Sequence, residues 1–143
     1  MKSKFTFRTL LLNMLLFAAG STAAFAQCDK AVTLTSSSTN YINREGEVRT
    51  KDEEVTVTIN KTELTIIPGD VDKKMTGPIS SNTCEWKVPF KEGKSVIKAL
   101  LTRDGADRHA TVTIEGKDGK VTMTFEAEET MGRKIQVVAD KFE

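Results

Sequence analysis

From Ala31 to Phe142 apolar and polar residues alternate with a period of two, and no window of eleven or more residues carries a helical apolar stripe. Successive side chains of a strand point to opposite faces, so such a chain buries one face of each strand and wets the other. Thr, Val and Ile fill the alternating stretches, as pleated surfaces favour. The spacing predicts strands at Ala31–Thr35, Asn40–Thr50, Glu54–Ile59, Glu63–Ile67, Asp72–Ile79, Cys84–Phe90, Ser95–Thr102, Arg108–Gly116, Lys120–Glu128 and Arg133–Phe142. Ser36–Asn40 and Pro68-Gly69-Asp70 read as turns. No linker divides the chain, so residues 27–143 form a single antiparallel β domain.

Hairpin turns fix which residues face each other. A two-residue Asp118-Gly119 loop sets Ile114 opposite Met123 and Val112 opposite Phe125. Asp104-Gly105 sets Ile97 against Val112, Ala99 against Ala110 and Leu101 against Arg108. A Glu92-Gly93 loop sets Val88 against Ile97 and Trp86 against Ala99. A three-residue Thr130-Met131-Gly132 loop, with Gly132 left-handed, sets Ala127 against Ile135, Phe125 against Val137 and Glu128 against Lys134. Asn60-Lys61 pairs Val57 with Leu64 and Val55 with Ile66. The expected fold is all-β, an antiparallel up-and-down meander of about 8–10 strands, closed as a barrel or strongly curved. An immunoglobulin-like β-sandwich is the alternative, although it needs long crossovers that these short turns do not provide. Pro89 inside a strand implies an edge, a bulge or a barrel rim.

Residues 1–26 have the three-part form of a secretory signal peptide: basic Lys2, Lys4 and Arg8, an apolar run from Leu10 to Ala19 and the ending Ala24-Phe25-Ala26. The run is too short to span a bilayer, and no later stretch is long enough. The expected location is therefore exported, periplasmic or extracellular. Lipid anchoring through Cys28 is less favoured, because Phe25 and Gln27 stand where a lipobox has Leu and Gly or Ala. In an oxidising compartment Cys28 and Cys84 form a structural disulfide, contributing about 3 to 4 kcal/mol on the chain-entropy model. The chain's formal charge of +1 includes three cations and no acid in residues 1–26, so the remainder holds 18 basic and 20 acidic residues, a net −2. That balance argues against a nucleic-acid partner of the basic-patch type.

No catalytic cluster, metal site or cofactor motif can be assembled. The single His109 shares the outward parity of Thr111 and Thr113, and catalysis would require an orienting acid and a nucleophile beside it. Asp52-Glu53-Glu54 and Glu126-Glu128-Glu129 lack calcium-loop spacing and read as solvated edges. Gly116-Lys117-Asp118-Gly119-Lys120 precedes a strand, where a phosphate loop requires a helix. The Trp86, Ala99, Ala110, Ala127 row is the candidate ligand site, since three alanines beside an indole leave volume for a small apolar molecule or simply make room for the ring. Arg108, on the inward face at the sheet's end, is placed to cap a barrel mouth and meet an anion, or to reach back to water.

Asn82-Thr83-Cys84-Glu85-Trp86-Lys87-Val88-Pro89, Lys91-Glu92-Gly93-Lys94 and the stretch from Ala110 to Lys120 resemble segments of small exported bacterial β-sheet proteins of uncharacterised function. In architecture the chain is similar to lipocalin-like barrels, without a Gly-x-Trp in its first strand. These readings lead to an exported, non-enzymatic binding or interaction protein with a small apolar ligand held near Trp86. The alternative is a solid structural β-protein that binds an envelope protein or other macromolecule through its outer face. The sequence leaves the oligomeric state open.

Overall fold

Alternation becomes structure wherever a turn lets the chain reverse without moving apolar residues to the wet face. The computed structural model describes residues 27–143; the proposed signal peptide lies outside the described residues. Eleven strands follow: β1 (Val32–Ser36), β2 (Thr39–Ile42), β3 (Val48–Lys51), β4 (Val55–Ile59), β5 (Glu63–Pro68), β6 (Met75–Val88), β7 (Glu92–Arg103), β8 (Ala106–Lys117), β9 (Lys120–Ala127), β10 (Lys134–Val138) and β11 (Lys141–Phe142). They make one antiparallel sheet in the order β11-β1-β4-β5-β6-β7-β8-β9-β10-β2-β3. This order is open, ending at β11 and β3, and is neither a closed barrel nor two stacked sheets. β1 leads directly into β2 and β10 into β11, and these two segments pair twice in one register, Leu34 opposite Phe142 and Asn40 opposite Gln136. The buried face gathers Val32, Leu34, Val57, Leu64, Ile97, Leu101, Val112, Ile114, Met123 and Val137 into one core.

The Asp-Gly turns behave as expected. Asp104, Gly105, Asp118 and Gly119 all have positive φ, the conformation that matches the twist of a two-residue hairpin. Ile97 faces Val112, Ala99 faces Ala110, Leu101 faces Arg108, and Val112 faces Phe125.

Three registers differ from expectation. The β6–β7 turn is carried by Pro89-Phe90-Lys91, not Glu92-Gly93: Phe90 adopts φ 61°, and the Lys91 N–H donates to the Val88 carbonyl. Trp86 consequently faces Gly93, Val88 faces Glu92, Asn82 faces Ile97 and Ile79 faces Ala99. Pro89 thus lies in the turn, beyond the last residue of β6. The β9–β10 connection is longer, because Glu128–Thr130 form a 3-10 turn and both Met131 and Gly132 are left-handed. Ile135 then faces Phe125, Val137 faces Met123 and Lys134 faces Glu126. At β4–β5 the Asn60 side chain accepts from the Thr62 and Glu63 N–H groups, which places the bend one residue later and sets Ile59 against Leu64 and Val57 against Ile66.

Element boundaries move for similar reasons. Asn40–Thr50 is a hairpin: the Asn43 Oδ1 accepts from the Glu45 and Glu47 N–H groups, and Gly46 takes φ 85°. The expected strands at Asp72–Ile79 and Cys84–Phe90 fall mostly within one strand, Met75–Val88, with bulges at Ile79/Ser81 and Trp86/Val88, while Asp72 and Lys73 belong to a 3-10 turn and Pro89 and Phe90 to the following turn. Cys28 and Cys84 are joined in a disulfide, as the even pair suggested. A sulfur in that bond cannot also carry a thioether-linked lipid.

Candidate ligand-binding cleft

The structure separates the residues expected to form one site. Trp86 lies at the disulfide end, six positions along β7 from the Ala99 it was expected to face. Its indole is 4 % exposed and Nε1 donates to the Ser95 Oγ at 2.8 Å. Phe142 packs on it with ring centroids 5.6 Å apart, and Phe90 meets Phe142 edge-on at 5.1 Å. The Phe90 N–H donates to the Gln27 Oε1 at 2.7 Å, closing the corner from the N-terminal side. The gap bounded by Cys28, Ser95, Ile97 and Phe142 holds about 20 Å³, room for one water, whereas an open surface groove of about 630 Å³ runs beside Trp86 along Glu85, Lys87, Glu92 and Lys94. The volume an indole requires is supplied by Gly93 and Gly116, not by the alanines.

Ala99, Ala110 and Ala127 do form a continuous buried cross-strand row, toward the opposite end of the sheet. Arg108 faces Leu101, as expected, and is half-buried.

Beyond the alanine row the core face opens. Cross-strand partners share a face, so Phe125, Ile135, Tyr41 and Arg49 form one row across β9, β10, β2 and β3 on the same side as the core. Lys51 and Arg133 have the same parity. Together with Ile42 and Val48 near the tip of the β2–β3 hairpin and Lys134 at the start of β10, they line an open cleft of about 680 Å³. Its floor is apolar: buried Phe125, half-buried Ile135 and the Tyr41 ring. The Tyr41 hydroxyl donates to the Glu53 Oε1 at 2.9 Å, and burial first, then that carboxylate, raises its pKa, so the phenol stays a neutral donor. Lys51 lies 3.7 Å from the Glu53 Oε2 and 5.8 Å from the centre of the Tyr41 ring.

Sequence reasoning missed this cleft because Asn40–Thr50 looked like one strand. The signal was present in Asn43-Arg44-Glu45-Gly46, a side-chain-capped turn ending in glycine that folds β3 back beside β2.

One rim of the cleft is clasped to β8. Thr130 and Arg133 line the cleft, and in the same connection Glu129 accepts from the His109 N–H at 2.9 and 3.0 Å while its Oε1 lies 2.7 Å from Nδ1. The backbone bond first, then the imidazole bond, pull the Glu129 carboxyl down to about 2, and the bond to Glu129 raises the His109 pKa above its ordinary 6.5. The histidine's contribution is present below pH 6.5 and is lost as pH rises through its raised value. The glutamate's is present above its ordinary 4.5 and is lost as pH falls toward 2. The clasp is therefore tightest between these limits. NMR titration of His109 is expected to give a midpoint above 6.5 that falls back to the ordinary value in Glu129→Ala; identical midpoints in the two proteins would show that the clasp is absent.

Among the described residues no group of three or more His, Cys, Asp or Glu side chains is placed to hold a metal ion, and no helix is long and apolar enough to cross a membrane. Compared with known proteins, the chain matches no family model, no curated protein and no solved structure.

Proposed function

We propose that this is an exported, non-enzymatic binding protein that holds a small molecule with an apolar body in the cleft between β9, β10, β2 and β3. The observation that carries the reading is the cleft itself: about 680 Å³, within the size range of small-ligand sites, with an apolar floor and a few polar groups at its edge. The double pairing of β1–β2 with β10–β11 supports a sheet curled barrel-fashion in the lipocalin-like manner, with Trp86 plugging one end and the cleft at the other. Export is supported by the pattern of residues 1–26 and by the Cys28–Cys84 bond.

Titration with the neutral, environment-sensitive dye N-phenyl-1-naphthylamine tests it. Saturable fluorescence enhancement is expected, weakened about tenfold by Val48→Glu, which sets a charge at an exposed cleft position, and unchanged by Trp86→Phe. No enhancement, or enhancement indifferent to Val48→Glu, overturns the reading.

A second reading, a β-protein that binds another macromolecule through its outer surface, draws on β3. This strand ends the sheet, and all four of its residues are exposed. An unpaired edge is a template for strand addition. An envelope protein retained on the chain while the dye gives no signal would favour it.

A further inference from the structure

Resting on the cleft reading above, we infer that its ligand is a monoanion, an apolar molecule ending in a single carboxylate, and that Arg49 and Arg133 are the residues that select it. The cleft is lined by four cations, Arg49, Lys51, Arg133 and Lys134, and by one acid, Glu47. This excess runs against the net −2 of residues 27–143. Two of the four are already neutralised: Lys51 pairs with Glu53, and Lys134 Nζ lies 3.1 Å from the Glu126 Oε1. Arg49 and Arg133 take part in none of the ion pairs among the described residues. Glu47 directs its carboxylate to the Asn43 amide at 2.7 Å, not to either arginine.

Counting Glu47, Glu53 and Glu126 against the four cations leaves one positive charge, which a carboxylate balances and a doubly charged phosphate monoester exceeds. The guanidinium is also the cation suited to this task, because its planar fork offers a carboxylate two parallel donors and is weakly hydrated. Arg49 sits at the end of the Phe125–Ile135–Tyr41 row, so a ligand whose body lies along that floor brings its head to the arginine. Arg133, two residues before Ile135 on β10's leading edge, approaches from the clasped rim.

Isothermal titration of the folded chain with decanoate and with 1-decanol at neutral pH separates this inference from the reading it rests on. Decanoate is expected to bind about tenfold or more tightly than decanol, a margin that shrinks with added salt. Arg49→Gln/Arg133→Gln is expected to erase the margin; both side chains are exposed at the cleft edge, away from the core. Equal affinities in the wild-type chain overturn the carboxylate inference and leave the cleft reading standing. A margin that persists in the double variant overturns the assignment to these arginines. Binding of neither compound overturns the cleft reading and this inference together.

Discussion

Trp86→Ala is expected to lower stability by about 3–5 kcal/mol, the usual cost of truncating a buried Trp, out of the 5–15 kcal/mol that holds a small domain folded. The indole is 4 % exposed, it packs on Phe142, and its removal leaves the buried Ser95 hydroxyl without the donor it now accepts from. Trp86→Phe keeps an aromatic ring but not Nε1, and is expected to cost less, about 1–3 kcal/mol. Urea denaturation monitored by circular dichroism measures both. The same substitutions should leave dye affinity at the cleft unchanged under conditions where the variants stay folded, because Trp86 lies near Cys84 on β6 and is not among the residues that line the cleft. A cost below about 1 kcal/mol for Trp86→Ala would mean that the plug is not packed.

That separation of plug from cleft is where the sequence was hardest to read. Alternation specifies which face each residue takes, and it does so identically for any register shift by an even number. Ile135 lies on the core side whether it faces Ala127 or, as it does, Phe125, and Val57 is buried opposite Leu64 or opposite Ile66. Turn chemistry must then decide the register. Where the turn demanded positive φ at Asp-Gly, the pairing was legible to the residue. Where a phenylalanine took that conformation, as Phe90 does, nothing local announced it; the cause is distant, in Phe142 and in the Gln27 side chain that holds the Phe90 N–H. The six-residue slip that followed moved Trp86 away from Ala99 and, with it, the supposed ligand wall. The disulfide was legible because two cysteines leave only one pairing. The arginines of the cleft were not, since their shared position depends on a hairpin at Asn43–Gly46 whose side-chain cap was read as strand.

The curvature that creates a concave face has its own point of failure at Gly77. This residue is buried on the core side of β6, opposite Leu64 of β5, and a Cβ built on it would run into the Leu100 carbonyl oxygen and lie 2.8 Å from the Leu100 carbonyl carbon and 3.2 Å from the Leu101 Cα. All three obstacles are backbone, so no change of side-chain rotamer relieves them; either β7 moves away from β6 or the strand flattens. Glycine inside a strand commonly marks such a bend, and Pro78 and the bulge at Ile79/Ser81 follow immediately. Gly77→Ala is accordingly expected to cost about 3 kcal/mol or more. Gly46→Ala provides the comparison: its φ is 85° and nothing lies within 4 Å of the added carbon, so only conformational strain of about 1 kcal/mol is expected. Because the two substitutions add the same atom, a cost at Gly77 no greater than that at Gly46 would show that β6 and β7 do not approach as closely as described.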